Sequence, residues 1–373
     1  MNNNLNIVTL NVPYPPDYGG MIDTWYRIQS LHNLGVHIHL HCFEYGRPHP
    51  KELESLCETI SYYPRKSGLF CHFSWLPYIV STRRSNSLLD RLKGNNFPIL
   101  FDGLHTTFCI NNPALSNRKK LVRVHNIEHR YYQTLANHES KLIKKMYFLI
   151  ESFKLKRYEK VLGKADCVLT ISGNDQEYFN NKYHNSILIG PSHPYDNSES
   201  LPGFGEYILF HGDLSVNENA AISAYLISNV FSKISYHCII AGKNPPAHIK
   251  SNASGYSNIQ VVSNPDNNEM ARLIQNAHIH LLPALASNGF KIKLLLALFA
   301  GRHCLVNSKM TDGTHTGELC HISDSGEEMV EKIELLMQKP FTGEAILKRK
   351  EVLSEYYDNI KNAKEVLNLA FTD

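Results

Sequence analysis

The sequence predicts an α/β protein built of two Rossmann-like domains, and three observations predict it. Short apolar runs of strand length alternate with helical stretches through most of the chain, as βαβ units around parallel sheets do. Residues 191–206, rich in Pro, Gly and Ser, interrupt that alternation and read as a linker. Formal charge changes sign across this linker: residues 1–190 carry 23 Lys+Arg against 15 Asp+Glu, and residues 191–373 carry 15 against 20. At 373 residues and 43% hydrophobic content, each half is large enough to bury its own core. The expected divisions are 1–190, the linker 191–206, 207–345 and a closing helical segment 346–373.

In the first half, Leu5 to Leu10 reads as a parallel-type strand, followed by a Pro/Gly loop through Gly19-Gly20. An amphipathic helix from Ile22 to Leu34, closed by Gly35, leads to a strand from His37 to Phe43. Gly19-Gly20 has two readings: a turn after prolines, or a place where backbone amides approach a ligand oxygen. Ile99 to Asp102 ends a strand, with Asp102 either in a structural turn or at the edge of a cleft. Leu121 to His125 is a further strand with His125 at its carboxyl end. From Tyr131 to Lys164 the periodicity is helical, and lysines punctuate an apolar stripe containing Leu142, Met146, Leu149 and Phe153. Such a basic amphipathic segment, 141–164, suits either an ordinary solvated face or peripheral contact with an anionic membrane. Ala165 to Ser172 is the next strand.

In the second half, strand Tyr207 to His211 runs into Gly212, and a helix from Asn219 to Phe231 follows. Strand Tyr236 to Ala241 then ends at Gly242-Lys243, where Lys243 either adds positive charge at a strand end or is a plain loop lysine. The richest stretch is His278 to Asn307. Its first apolar run breaks at Pro283, a small-residue loop follows, and a leucine-rich helix leads to a second apolar run from His303 to Val306. Ser287 or Asn288 is expected to cap this helix, and Gly301 to end it in a left-handed turn. Nearly all its positions are apolar, so it is expected to be buried on most sides. Lys291 and Lys293 sit near its start, where the helix dipole favours anions, and no carboxylate lies beside them in sequence. Either an anion supplies the missing negative charge or the lysines reach solvent. At about 100° per residue the two lysines diverge, so one at most should face a ligand.

The run Ser-Asn-Gly-Phe-Lys-Ile-Lys-Leu-Leu from Ser287, continued by Ala297, Leu298 and Gly301, resembles the donor-binding motif of family 4 of the glycosyltransferases. It is nearest to the bacterial subgroup with a Gly-x-Lys-x-Lys donor loop. The run Arg123-Val-His-Asn-Ile-Glu128, the Gly19-Gly20 pair and the Gly212 region resemble further motifs of that family in order along the chain. The resemblance implies the GT-B fold, two Rossmann-like domains facing across a cleft, with the final helix returning to the first. It implies transfer of a sugar from a nucleotide sugar to a saccharide or lipid-linked acceptor. That transfer would retain anomeric configuration, need no metal or other cofactor, and serve surface polysaccharide or glycoconjugate synthesis. It places His125 and Lys293 in catalysis. The donor would meet Gly19, Gly20, Gly212, Lys243, Asn288, Gly289, Phe290, Lys291 and Leu296. Asn288 and Leu296 stand where the family has glutamates, the second of which binds ribose. That departure keeps open a non-catalytic nucleotide- or sugar-binding protein, with a nucleotide-sugar epimerase as a third reading.

Composition narrows the remaining classes. No apolar run approaches the roughly 18 residues of a membrane span, and the N-terminal residues lack the pattern of a secretory signal. Eight scattered cysteines without a Cys-x-x-Cys pair suit free thiols and a reducing cytoplasm, at most peripheral to the inner membrane face. A net charge of +3 and the lack of a recognition motif argue against nucleic acid as partner.

Overall fold

A computed structural model describes residues 3–287 and 289–372. The chain forms two compact units: Met1–Pro194 with Asn288–Phe290 and Tyr357–Asp373, and Tyr195–Ser287 with Lys291–Tyr356.

The first unit opens with β1 (Asn4–Thr9), buried along its length, then α1 (Gly19–Asn33) and β2 (His37–Glu44). Met21, Trp25, Ile28 and Leu31 recur at three- and four-residue spacing and bury one face of α1. Gly35 ends the helix at φ 78°, while the amides of Gly35 and Val36 donate to the carbonyls of His32 and Leu31. This double closure needs a left-handed residue, which glycine supplies. Helix α1 starts three residues earlier than its periodicity suggests, because Tyr18 is extended and its carbonyl already accepts the Ile22 amide. Gly19 and Gly20 are therefore the first turn of a helix and not a loop.

The unit continues with β3 (Thr59–Pro64), α2 (Tyr78–Ser81), α3 (Asn86–Lys93), β4 (Ile99–Asp102) and β5 (Lys120–Arg123). After these come α4 (Glu128–Asn137), α5 (Leu142–Tyr158), β6 (Cys167–Thr170), α6 (Gly173–Tyr183) and β7 (Ser186–Leu188). The helical run expected from Tyr131 to Lys164 is thus two α-helices and a 3-10 stretch. Glu139 breaks it by accepting the Lys141 amide at 3.0 Å just ahead of α5. The seven strands are parallel, in the order β3-β2-β1-β4-β5-β6-β7.

The second unit contains β8 (Tyr207–His211), α7 (Asn217–Asn229), β9 (Cys238–Gly242), α8 (Ala247–Ala253), β10 (Ile259–Ser263) and α9 (Asn267–Asn276). It continues with β11 (Ala277–Leu281), α10 (Ile292–Ala300), β12 (His303–Val306), α11 (Ser308–Thr311), β13 (His321–Ile322), α12 (Gly326–Leu336) and α13 (Gly343–Tyr356). Its parallel sheet runs β10-β9-β8-β11-β12-β13. The chain closes with α14 (Asn359–Phe371), which belongs to the first unit and packs on α1. The expected single closing helix is two, because Asp358 accepts the Lys361 amide at 2.6 Å and starts a new one.

Both sheets reverse strand order beside their first strand, between β1 and β4 and between β8 and β11. In open α/β sheets that reversal parts the loops at the carboxyl ends and leaves room for a ligand.

Helix α10 is the buried rod its composition demands, with seven of nine residues buried. Two expectations about its ends are corrected. Its first residue is Ile292, with Lys291 in the capping position and no side-chain cap, so Ser287 lies too far upstream to cap it. Gly301 is extended (φ −94°) and not left-handed. Its glycine is required by space: a Cβ there would lie 2.0 Å from His280 Nε2 and 2.8 Å from the Ala297 carbonyl oxygen.

Candidate functional site

In the second unit the loops after β8, β9 and β11 and the start of α10 converge at the carboxyl edge of the sheet. The first two loops touch backbone to backbone. A Cβ on Gly242 would lie 1.8 Å from the Gly212 carbonyl oxygen, and the Leu214 amide donates to the Lys243 carbonyl at 3.0 Å. Gly212 lies directly under Asn219, whose amide nitrogen would be 3.1 Å from an added Cβ. The loop after β11 is pinned on both sides of Ala284, which exchanges two hydrogen bonds with the Asn307 side chain, at 2.9 and 2.8 Å. The Leu285 amide donates to Glu218 at 3.3 Å.

Lys293 lies inside this edge, partly buried. Its Nζ donates to Asn219 Oδ1 at 2.9 Å and stands 4.8 Å from the centre of the Phe210 ring. Asn219 is oriented for that role by its own donation to the Asp213 carbonyl at 2.8 Å. Burial pulls the ammonium down to about 8, against the carboxylate of Glu218 and together with the charge of Lys291. A diphosphate would oppose that shift, because an opposite charge favours the ionised form. Lys291 Nζ stands 3.7 Å from Glu218 Oε2. A carboxylate is therefore near the lysines after all, contributed by the first turn of α7 some seventy residues away, where no local sequence pattern would find it. Lys243 is partly exposed at the end of β9. Leu296 packs against the apolar cluster of Tyr207, Leu209, Ile239 and Ile274. Asn288 lies outside the described residues.

In the first unit, His125 follows β5 and meets Asp102, and through it residues of α1 that sequence periodicity did not single out. Its Nε2 is 3.2 Å from Asp102 Oδ1, at the carboxyl end of β4. Its Nδ1 is 3.8 Å from Asp23 Oδ2, beyond hydrogen-bond reach, so Nδ1 is the ring nitrogen left for a ligand. One turn of α1 supplies Asp23, Thr24 and Arg27. Arg27 bridges Asp23 at 2.6 Å and Asp102 at 2.8 Å, and Thr24 donates to Asp102 at 2.5 Å. Arg123 forks onto both oxygens of Asp23 at 3.1 Å and donates onward to the carbonyls of Ile189 and Gly190. Burial opposes ionisation of Asp102, yet Arg27, His125 and Thr24 hold its carboxyl down at about 2. Asp23 is buried as deeply, and Arg123, Arg27 and His125 hold it well below the carboxylate range. Two arginines balance two aspartates within the cluster.

Glu128 is the first residue of α4. Burial raises its carboxyl to about 7 with help from Asp175, against His125 and Arg83. Gly289 and Phe290 belong to this same unit. Gly289 has φ 58°, and a Cβ there would lie 2.4 Å from the His125 carbonyl oxygen and 2.3 Å from Asn126 Oδ1. Phe290 packs on the Tyr357 ring at 5.3 Å. The fold thus brings Gly289 to His125 and gathers Gly212, Lys243, Lys291 and Lys293 at one sheet edge, while Leu296 turns to the apolar core.

No family model matches the chain. It is similar to an uncharacterised 44.6 kDa protein of the cps region of Klebsiella pneumoniae, 24% identical over 389 aligned positions covering 98% of this chain and 94% of that protein. Among solved structures it is similar to sucrose-phosphate synthase of Thermosynechococcus elongatus, at TM-score 0.71 and 14% identity over 98% of each chain. It is also similar to WaaG, a glycosyltransferase involved in lipopolysaccharide biosynthesis, at TM-score 0.67 and 12% identity over 99% of this chain and 100% of that one. A third is HepE of Anabaena in complex with UDP and glucose, at TM-score 0.65 and 10% identity over 97% and 98%. The fold is that of the GT-B glycosyltransferases.

Proposed function

We propose that this protein is a glycosyltransferase that moves a sugar from a nucleotide-sugar donor to a saccharide or lipid-linked acceptor. The observation that carries the reading is Lys293, an ammonium held by Asn219 at the carboxyl edge of the second sheet. There the loop after β11 and the open start of α10 add peptide amides. A leaving nucleoside diphosphate gains negative charge in the transition state, and fixed donors in a partly desolvated site stabilise that charge. On the first unit, His125 backed by Asp102 offers Nδ1 to a sugar hydroxyl. HepE holds UDP and glucose, and the similar Klebsiella protein comes from a cps region, which supports a sugar-nucleotide donor and surface polysaccharide synthesis. The donor-loop likeness to family 4 carries with it retention of configuration and no need for a metal. A cytoplasmic site, with peripheral membrane contact through 141–164, suits a lipid-linked acceptor.

A second reading, a GT-B protein that binds nucleotide or sugar without turnover, draws on Leu296. Its side chain faces an apolar cluster and cannot accept ribose hydroxyls as a carboxylate would. One experiment separates the readings: UDP-, GDP- and ADP-sugars are incubated with chelator present, beside Lys293→Ala, and nucleotide release is followed. At least one donor should turn over, and the variant should lose about 100-fold in kcat/KM or more. Tight nucleotide binding without turnover on any acceptor would favour the binding module, and sugar interconversion without acceptor an epimerase.

A further inference from the structure

The second unit holds a cavity of about 460 Å³ away from the edge where Lys293 stands. It opens between the end of α12 and the first turns of α13, over the edge of the sheet formed by β12 and β13. His303, the first residue of β12, lines it, so the cavity lies at the amino edge of that sheet. Lys293 belongs to the opposite, carboxyl edge, at the start of α10, a helix roughly 13 Å long.

Three buried side chains form the floor and hold one another in place. The Arg349 guanidinium lies 4.4 Å from the centre of the Phe341 ring, and the His303 ring meets Phe341 edge-on at 5.2 Å. Phe341 exchanges two backbone hydrogen bonds with Gly203, at 2.8 and 3.0 Å. Arg349 donates to the Gly301 carbonyl at 2.7 Å, to the Arg302 carbonyl and to Ser200 Oγ at 3.2 Å, which anchors it to the end of α10. Around this floor Leu319, Leu335, Leu336 and Pro340 make the walls apolar. Such a volume, with apolar walls and a few converging polar groups, is that of a small-molecule site, roughly 300–1,000 Å³.

Charge selects the class of ligand. Lys332, Lys339, Lys348 and Arg349 line the cavity against one carboxylate, Glu318. Lys348 Nζ pairs with Glu318 at 2.9 Å, and Lys332 Nζ donates to the Ile322 carbonyl. Among the described residues neither Lys339 nor Arg349 has a carboxylate partner, and Arg349 Nε makes no hydrogen bond. The histidines add no charge. His303 Nε2 donates to the Lys339 carbonyl at 3.1 Å, which leaves Nδ1 to accept from His321 Nε2 at 3.4 Å. Burial takes His303 down to about 4 and lowers His321 as well. A buried cation without a counter-charge is costly, and an anion in the cavity supplies one.

We propose that this cavity is a second ligand site, taking a small organic acid. Its apolar or aromatic body would lie against Leu335, Leu336 and Phe341, with a carboxylate, phosphate or sulfonate group at Lys339 and over Arg349. A bare inorganic anion would leave the apolar walls wet, and a neutral apolar molecule would leave the two cations unmatched. Nothing in this site depends on what the edge carrying Lys293 binds.

Two fluorescent probes that differ by one group test it. Anilinonaphthalene sulfonate and phenylnaphthylamine share their rings, and only the first is an anion. Each is titrated into the full-length protein at neutral pH while emission is followed. The sulfonate probe should bind, and the neutral probe about tenfold more weakly. Lys339→Glu should weaken the sulfonate probe about fivefold. Ala345→Phe fills the cavity from α13 and should weaken it about tenfold or more, with the far-ultraviolet circular dichroism unchanged. Lys293→Ala should leave its affinity as it was. Absent binding, equal affinity for the two probes, or indifference to both cavity substitutions would each overturn the inference. So would loss of binding in Lys293→Ala, which assigns the probe to the other end of α10.

Discussion

Lys293 and Asp102 show how differently buried charges can be maintained. Lys293 is pulled towards neutrality by burial, and its nearest partner is an amide oxygen, so the site is matched to an incoming anion. Asp102 is saturated by Arg27, Thr24 and His125, with nothing left to gain from a ligand. Removing one partner from such a network leaves the others buried and uncompensated. Asp102→Asn keeps the shape and removes the charge, and should cost about 3–5 kcal/mol of stability, read as a lower urea midpoint. An unchanged midpoint would show that the network is energetically neutral. Sequence reasoning reached His125 through its strand-end position and motif. It did not reach Asp23 or Arg27, because an Asp and an Arg one turn apart on a helix look like a solvated pair until the sheet covers them.

The βαβ unit around α10 illustrates the element scale. Its apolar helix and flanking strands are visible in the residue pattern, since a rod with no polar face has to be buried. The reason for Gly301 is not visible there. A glycine after a helix usually supplies a left-handed turn, but here it makes room for the His280 ring, and both nitrogens of that ring lack a hydrogen-bond partner among the described residues. Gly301→Ala is accordingly expected to overpack the junction and cost about 1–3 kcal/mol, seen as a lower melting temperature. A melting temperature equal to the parent's would mean that the ring moves aside freely. The same logic separates Gly35, where the left-handed backbone is real and alanine would be strained by conformation instead of by contact.

Across the whole molecule, buried histidines set the response to acid. Burial lowers His41 and His211 to about 3 and His303 to about 4, and takes His105 and His280 well below the ordinary value. In the unfolded chain they titrate near 6.5. Their stabilising effect is complete above that value and is lost as pH falls towards the folded values, by up to about 1.4 kcal/mol per histidine per pH unit. Glu128 works in the opposite sense: raised to about 7, it gains stability as pH falls from 7 towards 4.5. One carboxyl against five histidines leaves a net loss. Thermal melts should therefore show clear destabilisation between pH 6.5 and 5, and a flat profile there would mean the rings are not kept neutral.

The alternation of strands and helices, the change of charge sign between residues 1–190 and 191–373, the buried character of α10 and the basic amphipathic character of the segment containing α5 can all be read along the chain. These are local: each is written in the spacing of apolar and charged residues within one element. Which charges meet is settled by the packing of distant elements. Asp102 joins α1 to β4 and β5, Glu218 approaches Lys291 from another helix, and His280 dictates Gly301. Each of those pairings joins residues twenty or more positions apart, and the distance between them is fixed by sheet order and helix packing, which no stretch of residues encodes alone.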